Sequence, residues 1–149
     1  MTGTASAPGV LTPALREWLD SQPVGVLATL GPDGAPRQSL VYFARDGDRL
    51  LISTLADRLK ARDVRRTGRA SLCVMGHEPP FPSATFSGPA EVITSGIGPM
   101  TAAIAQRVTR SAEPPEPLTD EALASVGRVI LAIAVERVSA AGYLPGTSA

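Results

Sequence analysis

Residues 53–69 read STLADRLKARDVRRTGR, and the parsing of this stretch decides the fold. Leu50, Leu51 and Ile52 precede it as an apolar run, so Ser53 and Thr54 finish a strand. Ala56-Asp57 makes a short loop, and the remainder is a helix with Asp57 as its expected N-cap. Arg58, Lys60, Arg62, Arg65, Arg66 and Arg69 follow, with Asp63 the only acid among them. The free N–H groups and dipole of a helix N-terminus favour an anion, and neighbouring Lys and Arg add charge-assisted donors. The stretch therefore reads as strand, loop and basic helix with room for a phosphate. A solvated basic helix face is the competing reading.

Composition narrows the alternatives. Fourteen residues are Lys or Arg, and Lys60 is the only lysine. A compact ammonium kept where every other positive charge is a guanidinium suits a ligand contact, because the two groups are not interchangeable there. The 149 residues carry a formal net charge of zero, so the basic cluster is local and gives no nucleic-acid footprint. Three Phe, two Tyr and one Trp do not supply a stacking surface either. Cys73 is the only cysteine, which excludes an internal disulfide and fits a reducing cytosol. It reads as a small buried hydrophobe within ASLCVMG, not as a nucleophile. His77 is the only histidine, so a histidine metal site or a Ser-His-Asp triad lacks material. No apolar run reaches the roughly 18–20 residues that span a bilayer, and the first residues lack a signal-peptide pattern. The expectation is a soluble cytoplasmic protein: a flexible N-terminus over residues 1–10, and one domain over 11–149.

Working outward, Leu11 to Ser21 is a short helix with Thr12 as N-cap, Pro13 at its first position and Leu15, Trp18 and Leu19 as its apolar stripe. Val24 to Leu30 and Pro36 to Ala44 are strands joined by the turn GPDG. Alternation puts Arg37, Ser39, Val41 and Phe43 on one face of the second strand, and Gln38, Leu40 and Tyr42 on the other. A turn at 45–48 leads to the third strand, giving three hairpin-linked strands before the basic helix. Ala70 to Gly76 and Ser83 to Ile93 follow, the latter broken by Gly88-Pro89 as at a bulge or barrel bend. Pro99 to Arg110 and a segment from Thr119 are helical, and Arg128 to Val138 is a strand buried on both faces. About six antiparallel strands with peripheral helices make a mainly β fold, a closed or split β-barrel.

This order resembles the pyridoxamine-5′-phosphate-oxidase-like split β-barrels, in particular the actinobacterial branch that binds the deazaflavin coenzyme F420. The likeness rests on VGVLATLGPDGAPRQSLVYF, DRLLISTLADRLKARDVRRTGRASLCV and FSGPAEV, and with RVILAIAVERV it spans most of the chain from Pro23 to Val138. The resemblance implies a homodimer with cofactor sites in clefts between subunits. It also implies that Lys60 and Arg58 hold phosphate with Ser53 and Thr54 assisting, while Ser39, Gln38, Leu40 and Val41 lie along the flavin or deazaflavin ring. GHEPPFPSATF lacks the tryptophan or tyrosine often found in the segment that reaches across such a dimer.

Three functions remain distinct at this stage. The first is an F420-dependent oxidoreductase passing a hydride to or from a small organic substrate, with FMN as the alternative cofactor; the second is a non-catalytic flavin or deazaflavin binder. Hydride chemistry needs no nucleophile or metal from the chain, in keeping with what the sequence holds. The third, a nucleic-acid module on the basic helix, has the least support. Tyr42, Tyr143 and His77 are the candidates for a proton donor, and Arg62, Arg65 and Arg66 are available to a polyglutamate tail.

Overall fold

The computed structural model describes residues 10–141 and 144. The expectations for residues 1–9 and for Tyr143 lie outside these. The elements are α1 (Pro13–Asp20), β1 (Val24–Leu30), β2 (Pro36–Tyr42), β3 (Ala44–Asp46), β4 (Arg49–Leu55), α2 (Leu59–Thr67), β5 (Arg69–Met75), β6 (Ser83–Ile93), α3 (Gly98–Thr109), α4 (Asp120–Ser125), β7 (Arg128–Ala134) and β8 (Arg137–Ala141). The strand order is β2-β1-β5-β6-β7-β4-β3, with β8 alongside β6. Every pairing among them is antiparallel. The two ends of that order, β2 and β3, are separated in sequence only by Phe43. A sheet whose end strands are consecutive in the chain has to curl round, and the result is a split β-barrel.

Two single-residue events raise the expected strand count from about six to eight among the described residues. The run from Pro36 does not continue as one strand: it breaks at Phe43, whose ring is fully buried and whose N–H donates to Pro23 O at 3.2 Å. Before the break β2 pairs with β1, and after it β3 pairs with β4. The three hairpin-linked strands of the sequence reading thus become two hairpins facing different partners. The second event is in the last strand. Ala90↔Ile133 and Ser87↔Arg137 are successive registers on β6, so three steps along β6 match four along its partner. The extra residue is a bulge at Val135-Glu136 that divides the expected strand into β7 and β8. Gly88 sits opposite. A Cβ there would lie 1.9 Å from Ala134 O, so β6 stays unbroken because glycine allows the approach.

Helix α1 follows its sequence signals. Thr12 Oγ1 accepts from Leu15 N at 3.2 Å, Pro13 opens the helix, and Leu15 and Leu19 are buried while Trp18 packs against the same core. Burying each leucine contributes about 1.5–3 kcal/mol. Helix α2 departs in one respect: its N-cap is Arg58, not Asp57, and no side chain caps its first turn. Gly68 ends it in the left-handed conformation, φ 66°.

The two faces of β4 belong to different cores. Leu50 and Ile52 join the barrel interior with Leu27, Phe43, Leu72, Phe86 and Leu131. Leu51 joins a second cluster with Ile104 of α3, Leu123 of α4 and Ile130 of β7. Cys73 corrects the sequence reading, since it is exposed and on the outside of β5. Alternation explains this: Leu72 and Val74 take the interior positions on either side.

Candidate functional site

A cleft with two chambers lies where β2, α2, α3 and α4 approach, and Lys60 lines both. The smaller chamber, about 260 Å³, is polar and is bounded by Thr29, Arg37, Gln38, Ser39, Arg58, Leu59 and Lys60. The larger, about 580 Å³, has a mainly apolar wall in which Leu40, Val41 and Tyr42 of β2 face Ile104, Val108, Leu123 and Val126. Ser53, Thr101 and Arg128 add its polar groups.

The smaller chamber owes its charge to α2. The helix begins at its edge with an uncapped first turn, so backbone N–H groups and the positive end of the dipole face it together with Arg58 and Lys60. Behind it lies Asp63, 1 % exposed. Its carboxylate accepts from the Thr29 hydroxyl at 2.9 Å, meets Arg66 at 3.2 Å and lies 3.6 Å from Arg37 Nε. Arg66 also donates to Leu30 O, and Arg65 donates to Ala56 O at 2.8 Å. These two arginines therefore tie α2 to its surroundings. Gly31 completes the arrangement beside Arg37. A Cβ on Gly31 would stand 2.8 Å from both Nε and an Nη of Arg37, so only a bare backbone leaves room for the guanidinium.

The larger chamber depends on the α3–α4 wall. Asp120, in the first turn of α4, accepts from Gly96 N at 3.0 and 2.9 Å and from Ile97 N at 3.4 Å, which pins the turn just ahead of α3 to α4. Gly98 lets Leu118 O approach to where a Cβ would be 2.3 Å away. At the other end Arg107 donates to Asp20 O at 2.9 Å, Leu19 O at 3.2 Å and Gln22 O, and lies 5.1 Å from the Phe43 ring centroid. Burial pulls this guanidinium below the usual arginine range, although Asp20 opposes the shift. Here α3 is clamped onto the end of α1, and the wall stands fixed over β4.

The sequence candidates divide between the chambers. Lys60 lies in both; Arg58, Ser39 and Gln38 line the polar one, whereas Leu40, Val41 and Ser53 line the apolar one. Thr54 is 6 % exposed and lines neither, because strand alternation turns it away from Ser53 to the side of Ile52. Tyr42 faces the larger chamber; His77 lines a separate surface pocket with Asp20, Gln106 and Arg107. Arg62 is exposed and lines neither chamber. Sequence reasoning missed Arg37, though its place on the face of Ser39 was a usable signal. It also missed the α3–α4 wall and Arg128, which no local pattern connects to α2. Among the described residues there is no group of three or more His, Cys, Asp or Glu that could hold a metal ion. None of the helices among them is long and apolar enough to cross a membrane.

Comparison with known proteins gives the same architecture. The sequence profile described as pyridoxamine 5′-phosphate oxidase matches residues 11–141. No curated protein matches the chain. A conserved hypothetical protein of Mycobacterium tuberculosis superposes with a TM-score of 0.70 at 25 % identity, over 90 % of this chain and 86 % of that one. An F420 reductase gives 0.66 at 24 %, over 89 % and 98 %. A heme binding protein from Mycobacterium smegmatis gives 0.64 at 22 %, over 91 % of this chain and 55 % of its own.

Proposed function

Because the chain belongs to the pyridoxamine 5′-phosphate oxidase family, we propose that it is an F420-dependent oxidoreductase acting on a small organic molecule. The observation that carries this reading is the position of Lys60 between a polar, cation-lined chamber and an apolar one. A flat apolar ring system bearing a phosphorylated tail matches both halves at once. Flavins and deazaflavins have that form. Heme iron would find one common axial group among the lining residues, the phenol of Tyr42, and no histidine, cysteine or methionine.

Bound in the cleft, the deazaflavin would supply the hydride acceptor or donor. The protein would do the rest by position and charge. Lys60 and Arg58 bind phosphate, Ser39 and Gln38 offer polar contacts at the tail, and Leu40 and Val41 present an apolar strand to the ring. Ser53 lies at the boundary as a hydroxyl donor or acceptor, and Tyr42 brings a phenol to the ring chamber. Thr54 contributes through the packing of β4. The apolar α3–α4 wall excludes water from the reacting face. Leu40, Tyr42, Leu118 and Val126 are exposed and border this chamber, an apolar surface that a second copy of the chain would cover in a homodimer. We take residues 11–149 as one domain, working in the cytoplasm without nucleic acid or membrane.

The test is a pair of fluorescence titrations of the purified protein, one with F420 and one with FMN. Tight binding of F420 alone supports the reading, and tight binding of FMN alone replaces the cofactor while keeping the site. Lys60→Ala should weaken binding by about 1.5–3 kcal/mol, the range of a charge-assisted hydrogen bond. No binding of either ligand by the wild-type protein, or an unchanged affinity in the variant, would remove Lys60 from a cofactor site.

A further inference from the structure

We infer that Arg37 is a third anion-binding residue of the polar chamber, preset by Asp63 and Gly31, and that the ligand end it reads carries two negative charges. This rests on the proposed cofactor cleft but adds a residue, a supporting device and a charge class to it. Arg37 lines the chamber, and its side chain is 32 % exposed. One edge of its guanidinium is committed: Nε lies 3.6 Å from the buried Asp63 carboxylate. The fork also lies over Gly31, close enough that a Cβ would collide with it. A guanidinium held from behind and below in this way keeps its remaining N–H groups for the chamber and loses little side-chain freedom on binding.

Charge counting gives the class of anion. Arg37, Arg58 and Lys60 line the chamber with no acid among the lining residues. Asp63 shares its single charge between Arg37 and the closer Arg66. The three lining cations, with part of the Asp63 charge set against Arg37, leave more than two positive charges around about 260 Å³. A monoanion leaves most of that field unanswered. A phosphomonoester, or a phosphodiester with a neighbouring carboxylate, answers two of those charges.

Arg37→Gln and Gly31→Ala test the inference by different routes, one removing the cation and the other displacing it while the residue remains. Calorimetric titrations would use F420, FMN, riboflavin, pyrophosphate and dimethyl phosphate, with urea unfolding run on each variant. Both substitutions should weaken pyrophosphate and whichever of F420 and FMN the wild-type protein binds about ten- to a hundredfold, as loss of a charge-assisted contact does, and leave riboflavin unchanged. Wild-type protein should prefer pyrophosphate to the monoanionic dimethyl phosphate. Equal weakening of riboflavin and that cofactor would make Arg37 a support of the fold only, and unchanged cofactor and pyrophosphate affinity would remove it from the site. Equal binding of the two phosphate probes would overturn the charge class. If wild-type protein binds pyrophosphate but no ring ligand, and the variants lose pyrophosphate, the anion site stands and the cofactor reading fails. If wild-type protein binds no pyrophosphate, the inference itself fails.

Discussion

Replacing Asp63 separates its two kinds of contact. The carboxylate is 1 % exposed and accepts the hydroxyl proton of Thr29, itself 4 % exposed, at 2.9 Å. Asp63→Ala removes that acceptor, at about 1.5–3 kcal/mol for a hydrogen bond to a charged group. The ion pairs to Arg37 and Arg66 add less. Those side chains are 32 % and 38 % exposed, so water replaces part of what they lose, and each pair contributes up to about 1 kcal/mol. We predict a total near 3 kcal/mol for alanine, a drop in Tm of roughly 6–12 °C for a domain of this size. Asp63→Asn keeps an oxygen for Thr29 and loses only charge, so about 1 kcal/mol is expected. Urea unfolding monitored by the fluorescence of Trp18 measures both. Equal losses for the two variants, or a loss within about 0.5 kcal/mol of zero, the usual surface value, for alanine, would refute the view that Thr29 and Asp63 form a buried anchor.

Other outcomes follow from contacts elsewhere. Gly88→Ala places a methyl 1.9 Å from Ala134 O, against the backbone of Ala134 and Glu136, so a destabilisation of about 3 kcal/mol or more is expected and denaturant midpoints would show it. Asp120→Ala frees the turn ahead of α3 and should cost about 1–2 kcal/mol for its charge-assisted hydrogen bonds, with hydrogen exchange rising first at Gly96 and Ile97; unchanged protection there would mean the contact is dispensable. Leu40, Val26, Cys73, Thr85 and Ser139 follow one another across paired strands, so the exposed thiol of Cys73 shares a surface with Leu40. Its alkylation should slow as protein concentration rises if the proposed homodimer covers that surface, and a concentration-independent rate argues against this face.

Local signals were legible where one residue decides one event. Thr12-Pro13 opened α1, the glycine of GPDG turned the first hairpin, and Gly68 closed α2. The Arg58–Lys60 segment could be read as basic and as a helix entrance from composition alone. Events decided by a distant partner were not legible. Phe43 ends β2 because the barrel interior takes its ring, and the bulge at Val135-Glu136 exists because β6 must pair first with one strand and then another. Arg37 could be placed on the face of Ser39, but not against Gly31 and Asp63, which are far apart in sequence and both meet its guanidinium. Cys73 and Thr54 exchanged their expected environments through simple alternation along β5 and β4, which fixes a face only once the partner strands are known.

The solitary lysine has a chemical consequence. Apart from any α-amino group, the 149 residues hold one side-chain amine, and it stands at the junction of the two chambers. Among the side chains, amine chemistry is therefore confined to a single position, while the 13 arginines are inert to it. Acetylation would strip the junction of its compact charge and leave every guanidinium contact intact. Gentle reductive methylation with carbon-13 formaldehyde would instead preserve the charge and plant one resonance there. Occupancy of the cleft could then be followed from a single line in a spectrum, with no mutation and no second lysine to confuse it.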